Sequence, residues 1–230
     1  KNAVLGFAIA ASTLFTSHNI TAVMILPLLI LWTIFLIIIT KKDVPSHKIL
    51  KNLILGLAWG LGIASFFVLP SWFEKNLVHI ESLKSGYFNY ISHFVGLKGL
   101  LFGSYWGYGF SQAGKFDEMS LSIGLPHWLF AIIGVASCWI AKKSKEIKIA
   151  TFLLIASGVS LFMIHPRSLV IWQTISNLAY FQFPWRFLLI VTFLMSLSSG
   201  AVAFLVVKKN TLKYLILTIV SVIFIFYSSF

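Results

Sequence analysis

Acidic residues are scarce in this sequence: six Asp and Glu stand against 18 Lys and Arg, a formal charge of +12 over 230 residues. Charged residues as a class are scarce too, at 10% where average soluble usage is about 25%. Cysteine is limited to Cys138, which lies inside an apolar run. That excludes a disulfide framework and a cysteine metal site, and leaves the redox compartment open. Arginine occurs only at Arg167 and Arg186. An initiator Met and the basic-start, short-core pattern of a signal peptide are also missing, and the sequence stops inside an apolar run of about 17 residues, near the lower limit for a span. The chain is therefore expected to be an internal fragment of a longer protein.

What is present is apolar. Hydrophobic residues make up 59% of the chain, against about 45–50% in soluble domains, so an integral membrane protein is expected before any position is considered. The apolar runs are Asn2 to Thr16, Ile20 to Thr40, Leu53 to Pro70, Leu121 to Ala141, Ile149 to Ile164, Phe187 to Val207 and Tyr214 to Phe230. This spacing predicts an all-α fold: a polytopic transmembrane helix bundle of about seven spans or part-spans, forming one transmembrane domain over 1–230. Gly56, Gly60 and Ala64 recur every four residues and make one helix face smooth enough for close helix approach, within this chain or between two copies.

The lysines lie in short clusters between the runs, which is the pattern of cytoplasmic loops and not a basic nucleic-acid face, so no nucleic-acid partner is expected. Lys41, Lys42, Lys48, Lys51, Lys142, Lys143, Lys145, Lys148, Lys208, Lys209 and Lys213 fall on one side when the spans are counted off. The positive-inside rule puts that side in the cytoplasm, in a cell membrane crossed several times. Segments 71–120 and 165–186 then face the exterior, where the first interleaves Glu74, Lys75, His79, Glu81, His93 and Lys98 with aromatic rings. Within it, Asn89, Ser92, His93 and Gly96 recur at helical spacing opposite Tyr87, Ile91, Phe94, Val95 and Phe102, which predicts an amphipathic helix lying in the interface.

Several residues could carry chemistry. Glu74 follows a span end by four residues from Pro70; a carboxylate desolvated there could act as a base or bind a hydroxyl, or simply pair with Lys75 or Arg186. His18 and Asn19 occupy a very tight turn between spans and could hydrogen-bond a polar ligand or be satisfied structural groups. His79 with Glu81, and Asp117 with Glu118, lack recognised ligand spacing, so neither a metal site nor a cofactor is expected. The string FQFPWRF, from Phe181 to Phe187, is the most specific in the chain. Its Arg186 presents a planar fork of donors at headgroup depth, suited to a phosphate of substrate or of ordinary lipid.

SHNITAVMILPLLILW, LGIASFFVLPSWFEK, YISHFV, the SLSIG that opens a span and FQFPWRFL occur here in an order that resembles a family of prokaryotic multispanning membrane proteins. That family is termed 6-pyruvoyl-tetrahydropterin synthase-related, a label that implies no pterin chemistry, and it is similar to the GT-C superfamily. The resemblance implies a GT-C-like fold and transfer of a sugar from a polyprenyl-phosphate donor at the exterior membrane face. It places His18, Asn19, Glu74, His93 and Arg186 around an exterior cavity; the substrate-binding candidates are His18, Asn19, Gln182, Trp185 and Arg186, and the catalytic candidates Glu74 and His93. The alternatives are a transporter of lipid-linked substrate and a non-catalytic membrane protein of the cell envelope. The span interiors carry no Asp, Glu, Lys or Arg, which ranks transport below transfer.

Overall fold

The computed structural model of the chain describes residues 2–40, 45–112 and 118–206, with 215, 218–222 and 226 beyond them. All regular structure among the described residues is helical, apart from one isolated antiparallel bridge between Tyr108 and Met119. The chain forms two compact units, Lys1–Leu83 and Lys84–Phe230. The exterior segment expected over 71–120 is thus shared between them.

The first unit contains α1 (Asn2–Ser17), α2 (Asn19–Thr40) and α3 (Ser46–Phe73). Gly56, Gly60 and Ala64 are the buried residues of α3, and the two glycines lie against α1. A side chain on Gly60 would sit 2.8 Å from Ala11 Cβ and 2.9 Å from the Ala8 carbonyl, and one on Gly56 would meet the Phe7 ring. The smooth face therefore serves packing within the chain. With apolar lipid outside, burial gives two helices little reason to associate, and close backbone approach does so instead. Along α2 only Ala22 and Met24 are buried, while Val23, Ile30, Leu31 and Ile38 point outward as a lipid-facing surface would.

The second unit is built on α5 (Leu125–Ile140), α6 (Ser144–Ile164) and α8 (Leu188–Ser199), the last extended by a 3₁₀ segment Gly200–Val206. Of two short helices, α4 (Leu97–Phe102) precedes α5 and α7 (Leu169–Thr174) lies between α6 and α8 in the chain. Small and hydroxyl residues line the seams: a side chain on Gly134 would collide with the Ser198 carbonyl, and Ser198 Oγ donates across to the Ala131 carbonyl at 3.4 Å. Hydroxyls in such seams are satisfied by backbone carbonyls, as Ser157 is by Leu153 at 2.8 Å.

Among the described residues four helical stretches are long and apolar enough to cross a membrane: Asn19–Thr40, Ser46–Phe73, Ser144–Ile164 and Pro184–Phe204. The first and fifth helices are apolar but shorter, and the seventh run, 214–230, lies largely outside the described residues. Helix ends differ from the apolar runs for a physical reason. α3 and α6 begin at Ser46 and Ser144, so Lys48, Lys51, Lys145 and Lys148 belong to their first two turns and not to loops. A helix does not stop where hydrocarbon stops, because its backbone bonds continue into polar surroundings. Pro70 is likewise inside α3, whose last turn closes by Glu74 N–H donating to the Pro70 carbonyl at 2.8 Å.

The amphipathic helix expected over Tyr87 to Phe102 is not formed as one element. That stretch contains 3₁₀ turns at Gly86–Phe88 and Tyr90–His93, then α4. Gly86 takes a φ of 58°, the Asn89 side chain accepts the Ile91 N–H at 3.1 Å in a local cap, and Gly96 is extended before α4. Each diverts the backbone from a continuous helix. His93, expected on a polar face, is 1% exposed.

Candidate functional site around Phe183

Pro184 removes an N–H and pushes its predecessor to extended backbone, and Phe183 is there at φ −120°, ψ 105°. The chain must still turn into the span, and Gln182 does so at φ 62°, ψ −51°. Phe183 N–H donates to the Phe181 carbonyl at 2.6 Å, closing a three-residue γ-turn of the rare positive-φ kind. A non-glycine residue held there stores strain, commonly about 1–3 kcal/mol. The surroundings hold it in place. Gln182 is buried, and Arg186 Nη1 donates to the same Phe181 carbonyl at 2.9 Å.

Phe183 is the hub of this turn. The Arg186 guanidinium carbon lies 4.9 Å from its ring centroid, and Trp185 stacks on it at 5.1 Å with planes 26° apart. Cation–π contact and a backbone brace orient the guanidinium without a carboxylate. Trp185 Nε1 is buried and has no hydrogen-bond partner among the described residues. A buried donor left unmade is unfavourable, so this N–H is an unexplained polar group of the residue preceding the arginine.

His93 packs edge-on against Phe183 at 4.6 Å and against Tyr87 at 5.0 Å. Its Nε2 lies 2.5 Å from the Tyr87 carbonyl, which only accepts, so Nε2 carries a proton. In the neutral ring Nδ1 then accepts the Ser111 hydroxyl at 3.1 Å, while Ser111 N–H donates to the Tyr87 hydroxyl at 3.1 Å. Both ring nitrogens are thus occupied. Further contacts tie the two segments together: Trp172 stacks on Tyr90 at 5.2 Å, Lys84 Nζ donates to the Tyr180 hydroxyl at 3.2 Å, and Val95 N–H donates to the Ile164 carbonyl at 3.0 Å.

Of the residues singled out in the sequence, His93, Gln182, Trp185 and Arg186 are brought together in the second unit around Phe183. His18, Asn19 and Glu74 belong to the first unit. There His18 caps α2: its Nδ1 accepts the Thr21 N–H at 3.3 Å and its carbonyl accepts the Ala22 N–H at 3.0 Å, which satisfies otherwise orphaned donors. Asn19 is exposed at the start of α2. Glu74 is exposed at the end of α3, where the helix dipole disfavours a negative charge, and Lys75 Nζ lies over the Trp72 ring at 4.3 Å. Among the described residues no group of three or more His, Cys, Asp or Glu could hold a metal ion.

Sequence reasoning missed Ser111 and the bracing roles of Tyr87 and Trp172. Phe183 was within reach, as the third letter of the FQFPWRF string.

These elements define an all-helical protein with the long apolar helices of an integral membrane protein, carrying a braced arginine where one such helix begins. No family model, no curated protein and no solved structure matches the chain.

Proposed function

We propose that this chain is part of a GT-C-like membrane glycosyltransferase that receives a sugar from a polyprenyl-phosphate donor, with Arg186 holding the donor phosphate. The observation that carries the reading is the state of Arg186. One N–H is committed to the Phe181 carbonyl and the plane leans on Phe183, so the fork is pre-aimed and its remaining donors suit a phosphate. Trp185 Nε1, on the preceding residue, is a further donor without a partner among the described residues. In this reading Gln182 fixes the turn from which the arginine projects.

A second reading, a non-catalytic envelope protein that binds lipid phosphate, is favoured by His93, whose two nitrogens are taken by Tyr87 and Ser111. One experiment separates the two. The full chain in lipid nanodiscs is given a polyprenyl-phosphate sugar, and both donor binding and sugar transfer are measured for the parent and for Arg186→Ala. Binding and transfer that are both lost support the enzyme. Binding without any transfer in the parent selects the second reading, and unchanged binding in Arg186→Ala removes the arginine from the site.

A further inference from the structure

Residues 105–110 read Tyr-Trp-Gly-Tyr-Gly-Phe, an alternation that puts successive side chains on opposite faces when the backbone is extended. The backbone there is paired with 118–120: Gly109 N–H donates to the Glu118 carbonyl at 2.9 Å, Glu118 N–H to the Phe110 carbonyl at 3.2 Å, and Ser120 N–H to the Gly107 carbonyl at 3.1 Å. Trp106, Tyr108 and Phe110 share one face and are 69%, 83% and 65% exposed, with the first two rings 4.8 Å apart. The glycines open the other face. A side chain on Gly109 would collide with that of Glu118, and one on Gly107 would lie 2.7 Å from the Tyr105 hydroxyl. The ribbon is therefore amphipathic: three rings on one side, a carboxylate and a phenol hydroxyl on the other.

We infer that this ribbon is an interfacial anchor whose ring face seats in the headgroup layer of the bilayer. Its level is fixed by its neighbours. α4, just before the ribbon, is pinned to the first turn of α5 by Trp128 Nε1 donating to the Leu101 carbonyl at 3.1 Å and by Phe102 packing edge-on against Trp128 at 5.7 Å. α4 itself exposes Leu97, Phe102 and Lys98, two apolar groups and a cation suited to lipid phosphate. Ring bodies with polar tips favour that depth, and the carboxylate of Glu118 lies on the face turned to water. A saccharide stacked on the rings is the competing occupant. It gives no reason for the exposed Leu97 and Phe102 of α4 or the exposed Leu125 at the start of α5.

The anchor is rooted on the arginine turn. Ser111, the next residue, is buried on His93, and the Phe110 ring meets Tyr87 at 5.7 Å, which meets Phe183 at 5.8 Å. Seating the rings thus holds Arg186 near headgroup phosphate, a consequence that rests on the proposed function, whereas the anchor itself does not.

The test places an environment-sensitive fluorophore at Tyr108→Cys, and separately at Glu118→Cys, in the full chain in liposomes; Cys138 is fully buried and is spared by the label. The label at 108 is expected to emit at shorter wavelength and to be quenched several-fold more strongly by lipids brominated near the glycerol than the label at 118. The label at 118 should be quenched instead by aqueous iodide. Equal iodide quenching at both positions overturns the anchor, and so does a blue shift at 108 that needs added oligosaccharide and is indifferent to brominated lipid. The assay reads depth and not donor binding, so its failure leaves the phosphate reading of Arg186 standing.

Discussion

Arg186 Nη1 and Phe183 N–H both donate to the carbonyl oxygen of Phe181, at 2.9 Å and 2.6 Å. One oxygen therefore fixes both the turn and the guanidinium that follows it. Arg186→Lys should fail almost as badly as Arg186→Ala, because a single ammonium cannot brace the carbonyl and present a planar fork together. Loss of a charge-assisted phosphate contact is worth about 1.5–3 kcal/mol, so donor affinity should fall roughly 10- to 100-fold in both variants. Titration of nanodisc-embedded protein with a polyprenyl phosphate checks this. Wild-type affinity in Arg186→Lys would mean that charge alone suffices.

Gln182 sits at positive φ, where glycine is at ease and a side chain is strained. Gln182→Gly should leave thermal stability in detergent unchanged or raise it by up to about 1 kcal/mol, with strain relief set against the extra freedom of the unfolded chain. Gln182→Pro should unfold the turn, since the ring locks φ near −65°. A Gly variant that is more stable but binds donor less well would identify the strain as part of the site.

The turn also marks how far the sequence could be read. Apolar runs of span length gave the helices, because the requirement for backbone satisfaction in lipid leaves few alternatives. They misplaced helix starts at Ser46 and Ser144, where the polar first turns carry no hydropathy signal. Within the site, FQFPWRF stood out by composition and proved to be one compact turn. His93 was misread as part of a polar helix face. Its burial depends on Ser111, 18 residues away, and on Phe183, and no local periodicity encodes contacts at such separations.

His93 and Ser111 form a buried pair, 1% and 2% exposed. Ser111→Ala or His93→Ala should each cost about 1–3 kcal/mol by leaving a partner unsatisfied. The double variant should cost less than their sum, with a coupling of roughly 0.5–3 kcal/mol. Chemical or thermal unfolding of the four proteins in one detergent measures this. If His93 were instead a catalytic base, His93→Gln would abolish transfer while binding and stability held; a structural brace predicts that all three fall together.

The packing of α1 on α3 gives the last prediction. Ala8 and Ala11 face Gly60 so closely that even a methyl group on Gly60 would stand 2.8 Å from Ala11 Cβ. Gly60→Leu must therefore separate the helices, and overpacking of a close seam costs about 1–3 kcal/mol. A methyl on Gly62, two residues further on, would meet nothing within 4 Å, so Gly62→Leu is the matched control and should gain helix propensity without a clash. Unfolding in mild detergent should show Gly60→Leu clearly less stable and Gly62→Leu no less stable than the parent. Compensation is also expected: Ala11→Gly should recover part of the loss in Gly60→Leu, since it removes the atom nearest the new side chain. If the two leucine variants behaved alike, the seam would be held by something other than close approach of these backbones.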